Sequence, residues 1–332
     1  MPSHPIPTTC YRTLLAPLIV GEPCEVVIVG EVIEGPNTTQ EFDCWLKAMH
    51  EFRQSERTRI NYTDANYKLA ELQWAQSNVL QPQMMVHDRD FYDYTTHEYT
   101  VDKYVNRLKQ RYGGIDSVLI WPNYPNIGID NRNMDDMIRD MPHGIDGLKK
   151  MVSDFHQHNI KVLFPLQPWD IGTRNPGADW SVVVPKTMAE IGADGLNGDT
   201  MLSVNKEYFD NSVRDLRPLV LEPEWGLIDE GIVALSWNVM SWGYKDYWDV
   251  KSARPVVSRN KWIETRHQVH ISDRWSKSKI KYLQMALFNG VGLETWENVW
   301  GIWNQMTDRD CQATKMSMAG NGKYKPDFVD IN

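Results

Sequence analysis

Asp199 ends a run of small residues, Gly192-Ala193-Asp194-Gly195-Leu196-Asn197-Gly198. Glu222 and Glu224 follow the apolar stretch Leu219-Val220-Leu221, and Asp273 closes the segment His267-Gln268-Val269-His270-Ile271-Ser272. A carboxyl group at the tip of a short strand is held at one place. Two such groups, one protonated and one ionised, can carry acid–base and nucleophilic work. Glu222 and Glu224 are two apart, so on a strand they face the same side. A negative neighbour raises a carboxyl pKa, the direction an acid/base needs. The competing roles are ordinary ones: Asp199 and Asp273 could cap the helices that follow, and the glutamates could sit on an exposed charged loop.

Aromatic residues accompany these acids. The chain has 14 tryptophans, and 12 of them lie at or after Trp121. Near the ends of apolar runs stand Asp88 and Asp90, Trp121 and Asn123, Trp169 and Asp170, Trp237 and Asn238, Arg274 and Trp275, and Glu294, Trp296 and Glu297. A single tryptophan is more often core than ligand platform. An indole or a carboxylate at most of these ends suits a carbohydrate, whose C–H faces stack on rings and whose hydroxyls bond to acids and amides. Cleaving a glycosidic bond needs two carboxyl groups. The expected catalytic set is Asp199, Glu222, Glu224 and Asp273, and the residues just named, from Asp88 to Glu297, are the expected substrate-binding set. His87, Asp88 and Asp90 could ligate calcium, but an acidic pair at a strand end is more often structural. No metal and no cofactor are expected.

The elements that would position these residues alternate. Strands are expected at residues 84–88, 117–121, 161–166, 192–199, 219–222, 232–237, 267–271 and 291–296. Helices are expected at 100–111, 144–158, 179–191, 204–216 and 276–288. Strands alternating with helical patterns predict βαβ units and a parallel sheet. Eight of them predict closure into a (β/α)8 TIM barrel, whose active site lies at the carboxyl ends of the strands. No Gly-x-Gly-x-x-Gly follows a strand, which argues against a dinucleotide site. Residues 1–80 read as an N-terminal α+β extension, 81–310 as the barrel and 311–332 as a tail. In the extension, residues 25–32 look like a strand and 40–53 and 63–76 like helices.

Composition excludes other classes. The chain has 332 residues, enough for a barrel of about 250 plus an extension. A net charge of −9 with no basic stripe argues against nucleic acid. No apolar stretch approaches the roughly 20 residues of a membrane span. No signal peptide is visible, so a soluble protein is expected, with its location and oligomeric state open. The four cysteines lack Cys-x-x-Cys spacing, so neither a zinc site nor a disulfide framework is implied. Gly-x-Ser-x-Gly is also missing.

The segment Asp194-Gly195-Leu196-Asn197-Gly198-Asp199 resembles the nucleophile strand of retaining α-glycosidases. Both the alpha-amylase family and the alpha-galactosidase/alpha-glucosidase clan carry an Asp nucleophile at the end of barrel strand four. The layout of about residues 150–300 is similar to the alpha-amylase family. That likeness implies a strand-five acid/base at Glu222 or Glu224 and a stabilising acid at Asp273, followed by Arg274. Where that family has an Arg two residues before its nucleophile, this chain has Asn197; where it has a His before the strand-seven acid, this chain has Ser272. The clan's acid/base Asp after strand six is matched by Trp237 and Asn238 instead. The resemblance implies a glycoside hydrolase acting on an oligosaccharide, polysaccharide or glycoside. The alternatives are a non-catalytic carbohydrate-binding barrel and a metal-assisted hydrolase or lyase.

Overall fold

The computed structural model describes residues 28–29, 32–33, 35–124, 127–215, 217–224, 230–244, 256–273, 278–296, 298–299, 302–303 and 306–320. Two compact units divide the chain, Met1–Arg59 with Ile331–Asn332 and Ile60–Asp330. The first contains a short antiparallel pair, Ile28–Val29 and Val32–Ile33, and the helix Phe42–Arg59. Cys44 on that helix is disulfide-bonded, which the cysteine spacing does not announce. Among the described residues, no helix is long and apolar enough to cross a membrane.

The second unit is a (β/α)8 barrel. Its strands are β1 (Leu80–Met85), β2 (Ser117–Trp121), β3 (Lys161–Leu166), β4 (Gly195–Gly198), β5 (Val220–Pro223), β6 (Met240–Tyr244), β7 (Gln268–Ser272) and β8 (Gly292–Trp296). They form one parallel eight-stranded sheet in the order β6-β7-β8-β1-β2-β3-β4-β5. A parallel bridge between Glu224 and Trp242 joins the two edges and closes the ring. The helices packed around the strands are α1 (Val101–Tyr112), α2 (Gly144–Gln157), α3 (Trp180–Ile191), α4 (Lys206–Arg214), α5 (Glu230–Val233), α6 (Val256–Ile263), α7 (Ile280–Asn289) and α8 (Asp308–Gly320), and a further short helix, Met134–Arg139, lies between β2 and α2. Strands buried on both faces read as continuous apolar runs, which is why β2 and β3 are plain in the sequence. The helices show the 3.6-residue period instead. Val101, Tyr104, Val105, Leu108 and Tyr112 form the buried face of α1, and Leu148, Met151, Val152 and Phe155 that of α2. Gly113 ends α1 at φ +92°, the left-handed stop that glycine allows.

Two strands differ from the expected positions. β1 starts at Leu80, not at residue 84, because Gln81 and Gln83 face the barrel interior while Leu80 and Met84 join the outer core. Alternating glutamines and Pro82 hide this strand from a hydrophobicity reading. The sixth strand is Met240–Tyr244, not 232–237. Residues 232–237 are largely helical, in α5 and a 3-10 turn at Ala234–Ser236, because Ile232 and Leu235 pack with Ile60 and Ile263 at a helical spacing. Trp237 and Asn238 therefore precede β6 rather than ending a strand. Tyr67, Leu72 and Ala75 are buried in the barrel core, so the barrel unit begins at Ile60. Residues 311–320 belong to α8, which packs on α1 and α7 as the eighth helix.

The amino ends of the strands are stapled by charge. Asp194, just before β4, accepts from His156 Nε2 (2.6 Å), Lys161 Nζ (3.0 Å), the Val162 N–H (2.9 Å) and Arg217 (3.3 Å). Burial pushes its carboxyl upward, but His156, Lys161 and the Val162 N–H outweigh that and hold it below the ordinary value of 3.8. A folded pKa below the unfolded one gives stability that is present above the unfolded value and lost as pH falls through the folded one. Asp194→Asn is therefore expected to cost stability at neutral pH, with the deficit shrinking below about pH 4. Urea midpoints across pH measure this; a deficit that does not change with pH would refute it.

Candidate active site

Strand β4 is narrow because its neighbours lie close. A Cβ on Gly195 would meet the Val220 carbonyl oxygen at 2.8 Å, and one on Gly198 would meet Val204 Cγ2 at 3.0 Å. Inward positions alternate, so Asn197 faces the interior and Asp199, one residue past β4, is the next inward position. Asp199 is buried at the carboxyl end of the barrel. Its Oδ2 accepts from the Tyr124 hydroxyl and from Gln167 Nε2 (3.0 Å). Its Oδ1 accepts from Thr200 Oγ1 at a longer 3.2 Å.

Aromatic rings line one side. Trp121, at the end of β2, stacks on Tyr124 with centroids 5.5 Å apart and planes 24° apart. Tyr124 meets Trp169 at 6.0 Å, and Trp169 Nε1 donates to the Asp199 carbonyl at 3.3 Å. Burial, then the bond to Asp199 and its charge, push the Tyr124 hydroxyl well above its usual value, so it stays protonated and remains a donor. Asn123 Nδ2 donates to Gln167 Oε1 and, at 3.4 Å, to Asp170. Burial raises Asp170 against that bond. A chain of amides thus runs from Asn123 through Gln167 to Asp199.

Glu224 is brought to the same place. Asn197 pairs with Glu222 and Gly198 with Pro223, the last pair of the β4–β5 ladder, and Asp199 and Glu224 each come one residue after it. The Glu224 N–H donates to the Gly198 carbonyl at 2.9 Å, and Glu224 Oε2 accepts from the Thr200 N–H at 2.9 Å. Thr200 holds this with φ +57°. Trp242, bridged to Glu224, donates from Nε1 to the Gly198 carbonyl at 3.2 Å.

Glu222 lies one layer deeper and is fully buried. Gln81 Nε2 (2.7 Å) and Asn197 Nδ2 (3.0 Å) donate to its Oε2, and His270 Nδ1 lies 2.5 Å from its Oε1. His270 Nε2 faces the Asn78 carbonyl at 2.9 Å, an acceptor, so Nε2 carries a hydrogen. One further proton then lies between Nδ1 and Oε1, whether the pair is imidazolium with carboxylate or two neutral groups. This network occupies Glu222 in the barrel interior.

The other expected residues make contacts of their own. Asp273 continues β7 beyond the inward Ser272; its carbonyl accepts from Lys279, and its carboxylate bears on Tyr282 of α7. Glu294 is buried on β8 in register with Ser272, and its carbonyl accepts from Tyr282 at 2.9 Å. Asp88 and Asp90 shape the turn after β1: Asp88 Oδ1 accepts from the Asp90 N–H at 2.8 Å, and Asp90 pairs with Arg107 of α1 at 2.9 Å. Trp237 Nε1 (2.8 Å) and Asn238 Nδ2 (3.0 Å) donate to the Val204 carbonyl, and Asn238 Oδ1 accepts from the Val204 N–H, so both tie the connection after β4. Arg274, Trp275, Glu297 and the Trp296 side chain lie outside the described residues. Among the described residues, no group of three or more His, Cys, Asp or Glu is arranged to hold a metal. Tyr124 and Gln167 are the contacts a sequence reading passes over. Each stands just past a strand, but nothing local shows that both converge on Asp199.

No family model matches this chain, and no curated protein matches it. Solved structures do. A noncanonic maltogenic alpha-amylase from Thermotoga neapolitana is 10% identical over 75% of this chain and 78% of that one, with a TM-score of 0.49. An alpha-N-acetylgalactosaminidase from Bifidobacterium bifidum is 13% identical over 82% and 56%, with a TM-score of 0.46. Tryptophan synthase from M. tuberculosis is 13% identical over 75% and 96%, with a TM-score of 0.45. A shared fold does not fix a function, which must be read from the residues themselves.

Proposed function

We propose that the chain is a retaining α-glycosidase with Asp199 as nucleophile and Glu224 as acid/base. The observation that carries this reading is that Asp199 and Glu224 each stand one residue past the last β4–β5 pair and that both carboxylates bear on Tyr124. The rings of Trp121, Tyr124, Trp169 and Trp242 around them suit a sugar. The α assignment rests on the strand-four and strand-five layout that resembles the alpha-amylase family.

In the first step Asp199 attacks the anomeric carbon while the bond to the leaving oxygen breaks and Glu224 gives that oxygen its proton. In the second, Glu224 takes a proton from water, the water oxygen attacks the same carbon, and Asp199 leaves. Tyr124 and Gln167 hold Oδ2, which leaves the less engaged Oδ1 as the attacking atom. Glu222, enclosed by Gln81, Asn197 and His270, supports the interior and takes no part in proton transfer to substrate.

Two inversions give retention. Following hydrolysis of an aryl α-glycoside by proton NMR, the first sugar released is expected to be the α anomer. A β anomer as first product would replace the covalent route with direct attack by water, and a barrel that binds sugars without releasing any would remove the catalytic reading.

A further inference from the structure

The rings beside Asp199 form a graded series from the barrel interior to its surface. Trp121 is 2% exposed, Tyr124 is half-buried, and Trp169 is 44% exposed. Ile171, two residues on, and Ile129 are also exposed. The segment that carries them is firmly held. The N–H groups of Thr173 and Arg174 both donate to the Asn131 carbonyl, and that of Met134 to Asp170. Arg174 pairs with Asp136 at 3.0 Å. Gly172 takes φ +53°, where a Cβ would meet the Arg132 carbonyl oxygen at 2.3 Å. Trp169 is fixed from below by its bond to the Asp199 carbonyl. An indole this exposed, anchored through its N–H with its ring free to be covered, is a stacking surface.

Strand order sets which part of a substrate could use it. Trp169 follows β3, Asp199 follows β4 and Glu224 follows β5, so Trp169 and Glu224 flank Asp199 on opposite sides. An acid/base stands beside the oxygen of the leaving group. The leaving group then lies toward Glu224, and the opposite, non-leaving side runs toward Trp169. A site limited to one terminal sugar would need a wall there. The described residues place there an exposed indole tied to Tyr124 and to the Asp199 carbonyl.

We infer that the substrate is an α-linked saccharide chain that continues past the reacting sugar on its non-leaving side, with the next ring lying on Trp169. This rests on the glycosidase reading above. The enzyme then cuts within a chain, or releases units longer than one sugar, rather than removing single terminal residues.

The test uses the Asp199→Asn protein, which should hold substrate without turning it over. Binding of α-gluco- and α-galacto-oligosaccharides of increasing length is measured by calorimetry. One added sugar on the non-reducing side is expected to tighten binding roughly tenfold, the scale of one good ring stack. Adding Trp169→Ala should abolish that gain, and Trp169→Phe, which keeps a ring but loses the N–H bond, should retain most of it. Equal loss in the Phe and Ala proteins would mean that Trp169 acts only by holding Asp199, and the inference falls. It also falls if binding is the same at every length, although the glycosidase reading then survives. No binding at any length removes both.

Discussion

Asp199→Asn is expected to lower kcat by roughly 10³-fold or more with little change in fold, because it removes a nucleophile while keeping its shape. The amide oxygen can still accept from Tyr124 and Gln167, so the surrounding bonds survive. Glu224→Gln should lose about 10²- to 10⁴-fold, and the loss should depend on the leaving group. Substrates whose leaving oxygen needs a proton should suffer most. Aryl groups that leave unaided should still form the covalent intermediate, which then accumulates because the base is gone. Added azide should take the place of water, and the α-glycosyl azide should appear as product. Rates on both substrate types, with and without azide, measure all of this. Turnover by Asp199→Asn at the wild-type rate would end the assignment. An effect of Glu224→Gln that ignores the leaving group would move the acid/base elsewhere, with Asp273 next to test.

Glu222→Ala is expected to destabilise the barrel by about 3–5 kcal/mol, because several buried polar groups lose their partner at about 1–3 kcal/mol each. Its removal leaves Gln81 Nε2, Asn197 Nδ2 and His270 Nδ1 facing a dry interior without their acceptor. Glu222→Gln should cost much less, about 1 kcal/mol. Its amide oxygen can accept from Gln81 and Asn197, and its NH2 can donate to a neutral His270 that keeps its hydrogen on Nε2. Urea unfolding gives both values, and an Ala variant within about 1 kcal/mol of wild type would show that the network contributes little. The same pair separates the two glutamates: Glu222→Gln should keep most of its turnover, and Glu224→Gln should not.

Much of the barrel is legible in the chain, for a physical reason. β2 and β3 are buried on both faces, so they read as unbroken apolar runs between turn residues. Helices α1 and α2 announce themselves by the spacing of their buried residues and their stops. β1 and β6 are harder because their inward residues are not aliphatic. Gln81 and Gln83 face the interior of β1, and Met240, Trp242 and Tyr244 alternate along β6 with Ser241 and Gly243. A nearby aliphatic run, residues 232–237, then draws the strand assignment to itself. Helical packing of Ile232 and Leu235 overrides that run's β-branched character.

By itself the sequence determined the alternating architecture, the aromatic richness of the strand ends and the delivery of Asp199 at the tip of β4. Those are local properties, set by side-chain type and by periods of two and 3.6 residues. What separates Glu222 from Glu224 is a matter of tertiary structure. Glu222 and Glu224 share a face and differ by two residues, but one level of the barrel separates a sealed interior from the mouth. That level is set by partners far off in the chain: Gln81 reaches Glu222 across 141 residues, and Tyr124 reaches Asp199 across 75. Such contacts exist only once eight strands have taken one register, so no local pattern can record them.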